Sequence, residues 1–249
     1  MKYNNYEYSA SGEITVIVCD LHGVDLRIVP SHENELQIVG DNGKRLNVSL
    51  DGSTLKIVQG NLNSLFLHKK KRIEVRVPEH TVPEIAIDGK HTSIAVTGGI
   101  YGKFSVDGDD CTLKCESASF SECSFTGSAL STYLKDVTVK NTLVVNCDEG
   151  DTVWENSFAA CTECRIKRGN IGLSGFNCKD SILAAENGNV AARLSGEQSD
   201  YNLAIFAKAG TANRESVMRE GAARSFKAYS AKGNIAVDFV PGDEETVYN

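Results

Sequence analysis

Short β-type segments return about every 19 residues from Glu84 to roughly Leu194, the period of stacked, nearly identical structural units. One register runs through Ile85-Ala-Ile87, Phe104-Ser-Val106, Cys123-Ser-Phe125, Leu143-Val-Val145, Arg165-Ile-Lys167 and Ser181-Ile-Leu183. Most of these precede a glycine turn: Asp88-Gly89, Asp107-Gly108, Thr126-Gly127, Arg168-Gly169. A second register trails by half a period through Ile94-Ala-Val96, Cys111-Thr-Leu113, Val153, Ile171-Gly-Leu173 and Asn189-Val190. The pattern predicts an all-β chain, a single-stranded, β-helix-like solenoid.

Before the repeat, apolar and polar residues alternate in Glu13–Val18, Val24–Val29, Leu36–Val39, Leu46–Leu50 and Leu55–Val58. Turn residues bound these runs: His22-Gly23, Pro30-Ser31, Asp41-Asn42-Gly43, Asp51-Gly52. Alternation broken by Asn-Gly or Asp-Gly is the hairpin signature, and Asp51-Gly52 marks the best hairpin. Ile73–Val77 is a strand that stops at Pro78. Gly60–Leu67 reads as a loop with an apolar tip, Leu65-Phe66-Leu67, that covers a core end. We therefore expect residues 1–72 to form a hairpin-rich N-terminal β cap continuous with the solenoid. Residues 73–249 are the repeats, with an excursion near 210–223. Asn213–Glu220 has few apolar positions to bury, so the excursion reads as an ordered loop rather than a helix. Phe226–Tyr229 and Asn234–Phe239 close the stack, with Pro241 and an acidic tail blunting its last edge.

Composition narrows the function classes. Four prolines and 22 glycines suit many short strands joined by tight turns. A net charge of −7 argues against a nucleic-acid partner, and the basic run His68-Lys69-Lys70-Lys71-Arg72 reads as a solvated strand entry. The N-terminal residues lack the apolar core of a secretory signal, and no stretch reaches the roughly 20 apolar residues of a membrane helix. The expectation is a cytoplasmic chain with no membrane insertion, its eight cysteines reduced. Surface exposure by another route stays open.

Several segments resemble the bacterial DUF4097 family of “putative adhesins”. They are Val24-Asp-Leu-Arg-Ile-Val-Pro-Ser31, Leu46–Leu50 with Asp51-Gly52-Ser-Thr-Leu-Lys-Ile57, Arg72-Ile-Glu-Val-Arg-Val-Pro78, Ile85–Gly89 and Ser230-Ala-Lys-Gly-Asn-Ile-Ala-Val237. The last is similar to a recurring Ser-x-x-Gly-Asp/Asn-Ile-x-Val unit. The resemblance implies a β-solenoid or roll that binds something, with no catalytic motif to carry over.

Candidate chemistry is sparse. Cys161-Thr-Glu-Cys164 has metal-knuckle spacing, with Cys147 and Cys178 about one rung to either side. On a regular strand the odd offset puts Cys161 and Cys164 on opposite faces, so core filling is expected instead. Cys111 and Cys115, at an even offset, read as core too. Polysaccharide-active β-helices need carboxylates converging on one lateral face. Asp107, Asp109, Asp110, Asp148, Glu149 and Asp151 are available, but they sit where Asp serves as a turn former. His22, His32, His68, His80 and His91 read as exposed loop residues without a nucleophile to activate. Gly98-Gly99 is a turn, not a phosphate cradle. Trp154 and Phe158 could form a surface aromatic pair, although burial against a neighbouring rung is the commoner fate of such a Trp. We expect no catalytic, cofactor-binding or metal site and no cofactor. The expected function is non-enzymatic binding to an unknown protein or cell-envelope polymer. The alternatives are a self-assembling, bactofilin-like cytoplasmic scaffold and, third, a polysaccharide-active enzyme.

Overall fold

The computed structural model describes residues 5–41, 46–59 and 71–241. The apolar tip Leu65–Leu67, His68–Lys70 of the basic run and the acidic tail lie outside the described residues. Among those described are twenty strands. They are β1 (Asn5–Ala10), β2 (Val16–His22), β3 (Val24–Ser31), β4 (Leu36–Asp41), β5 (Leu46–Asp51), β6 (Thr54–Gln59) and β7 (Lys71–Pro78). Next come β8 (Glu84–Lys90), β9 (Ser93–Thr97), β10 (Ile100–Asp109), β11 (Cys111–Glu116), β12 (Ser119–Lys135), β13 (Thr138–Glu149) and β14 (Thr152–Glu155). The last are β15 (Phe158–Arg168), β16 (Ile171–Asn187), β17 (Val190–Ser195), β18 (Tyr201–Ala207), β19 (Arg224–Ser230) and β20 (Ile235–Val240). No helix among the described residues is long and apolar enough to cross a membrane.

The strands build two walls of a β-solenoid. Wall one runs β5–β6–β2–β8–β10–β12–β13–β15–β16–β19–β18, and wall two runs β1–β4–β7–β3–β9–β11–β12–β14–β16–β17–β20. The long strands β12 and β16 turn the corner and serve both walls. Pairing is parallel through the stack and antiparallel only at β1–β4, β4–β7 and the β5–β6 hairpin, which turns at Asp51-Gly52 as expected.

Side chains alternate in and out, and in-register pairing stacks the inward ones into columns. In wall one, the columns are Ile85–Phe104–Cys123–Leu143–Thr162–Ser181 and Ile87–Val106–Phe125–Val145–Cys164–Leu183. Wall two contributes Ile94–Leu113–Thr132–Thr152–Ile171–Val190 and Val96–Cys115–Leu134–Trp154–Leu173–Ala192. Three sequence readings need correcting. The rung after Leu143–Val145 is Thr162–Cys164, not Arg165–Lys167, because Arg165 pairs with Asn146 and points out. Similarly, Val153 faces outward between buried Thr152 and Trp154, and Ile94 aligns with Leu113, not Cys111. Aromatic side chains cluster in two places within the core. Phe120 stacks on Tyr101 at 5.5 Å and Phe104 at 5.1 Å, and Trp154 packs on Phe176 at 5.4 Å.

One corner carries a ladder of Gly-Asx steps: Gly150-Asp151, Gly169-Asn170, Gly188-Asn189 and Gly233-Asn234, ending on Gly210-Thr211. Asp151 Oδ1 accepts from Asn170 N and Nδ2, Asn170 Oδ1 from Asn189 N and Nδ2, Asn189 Oδ1 from Asn234 N, and Asn234 Oδ1 from Thr211 N and Oγ1. Each glycine lies flat on the carbonyl of the one before, and a β-carbon at Gly188 would overlap Gly169 O. Gly188→Ala is therefore expected to cost about 1–3 kcal/mol of stability in urea denaturation through overpacking. Glu186→Ala, on the exposed face nearby, should stay within about 0.5 kcal/mol. Equal effects at the two positions would refute the close-approach argument.

The two ends are interleaved. At the start, the β2–β3 rung is sandwiched between β6–β7 and β8–β9, so the chain builds its second rung first. At the finish, β18 is placed outermost and β19 then inserts between it and β16. The excursion from β18 to β19 contains no helix and lies along both free edges. Leu203 and Val217 exchange backbone hydrogen bonds at 2.8 and 2.9 Å. Ser216 Oγ accepts from Ile205 N and donates to Ile205 O. On the other wall, Ile235 N donates to Thr211 O and Asn213 N to Ile235 O. The Asn213 side chain mimics a strand toward Val237, accepting from its N–H and donating to its carbonyl, which Arg214 Nε also reaches.

Candidate functional site

All six turn acids hold a partner on an adjacent rung. Thr126 Oγ1 donates to Asp107 at 3.4 Å, and Ser128 Oγ to Asp109 at 2.5 Å. Asp109 also meets Lys90 at 3.3 Å, and Asp110 meets His91 at 2.8 Å. The Ser128 hydrogen bond, then Lys90, hold the Asp109 carboxyl below the usual range. Asp148 pairs with Lys167 at 2.7 Å, Glu149 with Arg168, and Asp151 serves the Gly-Asx ladder. The hydrogen bond from Lys167 to Asp148 raises that ammonium's pKa. These acids stitch rungs together at the surface.

The histidines are better partnered than their sequence neighbours suggest. Besides the His91–Asp110 pair, His22 meets His91 edge-on at 5.6 Å, and His32 pairs with Glu79 at 2.9 Å. His80 is exposed, and His68 lies outside the described residues. Exposed ion pairs of this kind contribute little to stability.

Of the eight cysteines, Cys161 is exposed and the other seven are buried. Cys161 and Cys164 therefore face opposite ways, as the odd offset requires. Cys111 and Cys115 are both inward. Burial pushes the Cys147 thiol up to about 11 and those of Cys19 and Cys178 to about 12. Cys115, Cys123 and Cys164 are also raised by burial. A protonated, inaccessible thiol is a poor nucleophile. Trp154 is fully buried and Phe158 half-buried, so they make no surface aromatic pair. Gly98 and Gly99, with φ of 69° and 86°, form the turn read from the sequence.

The outward face of wall one carries a feature that sequence reading missed. Ala86, Ser105, Ser124 and Val144 stand in register on β8, β10, β12 and β13. These small side chains floor a trough of about 500 Å³, with Glu84, Lys103 and Glu122 along one bank. Lys103 and Glu122 pair at 3.3 Å. Two residues further along the same outward face, Asp20, Asp88 and Asp107 lie in register on β2, β8 and β10. Strand spacing puts neighbouring acids about 4.8 Å apart, so all three fall within about 10 Å on one face. The signal was the repeated outward Asp after Cys19, Ile87 and Val106, hidden because β2 precedes its partner β8 by nearly seventy residues. A carboxylic acid that protonates a leaving group needs an apolar wall around it, whereas these three stand exposed on an open sheet.

Comparison with known proteins agrees with this architecture. No curated protein matches the chain. A crystal structure described as a “putative adhesin” from Bacteroides fragilis NCTC 9343 superposes with a TM-score of 0.61 at 15% identity, covering 96% of this chain and 97% of that one. One described as a “putative lipid binding protein” from Parabacteroides distasonis ATCC 8503 gives 0.54 at 12% identity, with 94% and 96% covered. A “putative adhesin” from the same strain gives 0.52 at 12%, with 96% and 97% covered. At such identities the likeness shows a shared fold. The sequence profile described as Toastrack DUF4097 matches residues 14–249, nearly the whole length, and the chain belongs to the DUF4097 family.

Proposed function

We propose that this is a non-enzymatic binding protein whose partner, a protein or a cell-envelope polymer, lies as an extended chain along the wall-one trough. The carrying observation is the in-register floor of Ala86, Ser105, Ser124 and Val144 beside the charged bank of Glu84, Lys103 and Glu122. That groove runs across the strands for about 14 Å and fits a chain better than a compact ligand. Engagement of all six turn acids with neighbouring rungs supports the absence of catalysis, as does the exposure of the Asp20–Asp88–Asp107 column. The similarity to structures described as adhesins is consistent with binding. Self-assembly is the competing reading, and the covered edges of β18 and β20 speak against it. Cysteines used as buried thiols fit a reducing cytoplasm, and fractionation of native cells decides between that compartment and the surface.

The test is co-sedimentation with intact cells and with purified cell-wall polymer. The double variant Ser105→Arg/Ser124→Arg, which fills the trough floor, should bind at least about 10-fold more weakly with an unchanged melting temperature. Undiminished binding by that variant would eliminate the trough.

A further inference from the structure

Acids and bases on the outward face of wall one are matched, rung to rung or along a strand. Lys90 meets Asp109 at 3.3 Å, Lys103 meets Glu122 at 3.3 Å, Lys167 meets Asp148 at 2.7 Å and Arg165 meets Glu163 at 2.6 Å. The Asp20–Asp88–Asp107 row breaks that rule. Among the described residues, Asp20 and Asp88 meet no cation, and Asp107 holds the Thr126 hydroxyl at 3.4 Å. The flanking cations are engaged elsewhere, Lys56 by Asp51 at 3.7 Å and Lys90 by Asp109. Like charges directly opposite on neighbouring strands destabilise a sheet, so this row carries a standing repulsion. Among the described residues, no three His, Cys, Asp or Glu side chains converge as a metal ion requires. The row is a strip of negative charge rather than an ion cage.

The trough floor runs beside that strip. Ala86 and Val144 give it apolar contact, and Ser105 and Ser124 give it hydroxyls. On its bank, Glu84 and Glu122 add two carboxylates against Lys103, which already pairs with Glu122. A polymer bearing phosphates or carboxylates meets repulsion along the whole groove. A Lys or Arg side chain suits it, because the aliphatic stem packs on the small floor residues while the charged head reaches the strip. The floor, about 14 Å long, spans about four residues of extended chain, and alternate residues point to the same side. Two basic residues separated by one other therefore both meet the strip, which is about 10 Å long.

We propose that the occupant of the trough is an extended, basic polypeptide segment with Lys or Arg at alternate positions. The proposal rests on the reading of the trough as the binding surface and narrows its partner to one chemistry. The Ser124 hydroxyl donates to a backbone carbonyl of the segment, and the carboxylate strip takes its cations. Attraction between exposed charges is screened by salt, so the strip governs the salt dependence and the speed of association.

The probe is a fluorescein-labelled peptide, Gly-Lys-Ser-Lys-Ser-Lys-Gly, titrated with the full chain and followed by anisotropy. In about 50 mM salt it should bind at least about 10-fold more tightly than the same peptide with Glu in place of Lys, and about 300 mM salt should weaken it about 10-fold. Asp20→Asn/Asp88→Asn/Asp107→Asn should weaken the Lys peptide about 10-fold and melt no lower than the unaltered chain, because it relieves a repulsion. Glu186→Gln/Glu215→Gln/Glu220→Gln changes the net charge equally at exposed positions toward the C-terminal end and should leave binding within about 2-fold. Ser105→Arg/Ser124→Arg should lose the Lys peptide. Equal binding of the Lys and Glu peptides overturns the proposal, as does equal weakening by the two triple variants. If the proposal fails in either way while Ser105→Arg/Ser124→Arg still loses co-sedimentation with cells, the trough stands and the basic partner alone falls.

Discussion

Raising the pH from 9 to 10.5 should unfold this protein. In the unfolded chain a thiol loses its proton near 9, whereas burial holds Cys147 to about 11 and Cys19 and Cys178 to about 12. Cys115, Cys123 and Cys164 shift the same way. Above pH 9 the unfolded state therefore binds fewer protons than the folded state, and stability falls as pH rises until the folded thiols titrate. Below pH 9 the contribution is fully present. At pH 10 each thiol forfeits about 1.4 kcal/mol, and the six together about 8 kcal/mol, which rivals the whole stability of an ordinary domain. Tyr201, raised to about 12 mainly by burial, adds the same sign above pH 10. Urea denaturation monitored by far-UV circular dichroism at intervals of half a pH unit is the measurement. Cys164→Ala should be less stable at pH 7 through lost packing, but its stability should fall more slowly with pH, by about 1.4 kcal/mol per unit. A stability that stays flat from pH 9 to 10.5 would contradict the buried-thiol core.

The solenoid was legible in the chain wherever its inward positions hold large apolar residues. Ile85, Phe104, Phe125 and Leu143 set a register that the structure keeps. The register slipped at β15 because its inward positions are Thr162 and Cys164. The eye moves instead to Ile166, which belongs to the corner column of Cys147 and Ala185. It slipped again at β14, where outward Val153 outranks inward Thr152 on hydrophobicity alone, although Thr152 finds its partner in the Thr132 hydroxyl at 3.1 Å. The turn acids were legible as turn formers, but their partners, one rung away on other strands, carry no local pattern. Interleaving of the end rungs was invisible for the same reason. Nothing near Val16–His22 announces a partner at Glu84–Lys90.

Removing the contacts of the excursion should convert the C-terminal end into a growing edge. A parallel stack ends in two strands whose outer N–H and C=O groups template another chain unless something covers them. Here the cover is specific. Val217 completes the edge of β18 through Leu203, Ser216 through Ile205, and Asn213 stands in for a strand beside Val237 of β20. These residues act by hydrogen bonding rather than by apolar burial, so the segment reads as a featureless polar loop. The triple variant Asn213→Ala/Ser216→Ala/Val217→Pro strips the side-chain acceptors and the Val217 donor together while leaving the inward columns untouched. Phe206, exposed and stacked on Tyr229 at 5.8 Å, would add apolar area at the opened end. We expect the variant to form oligomers that lengthen with concentration at about 10 µM and above, seen by light scattering and as filaments or end-joined particles in electron micrographs, under conditions where the unaltered chain does not. Circular dichroism separates this from unfolding, since end-to-end growth preserves the β signal. A variant that keeps both its β signal and the size of the unaltered chain across that range would show that the excursion is not what holds the stack to a finite length.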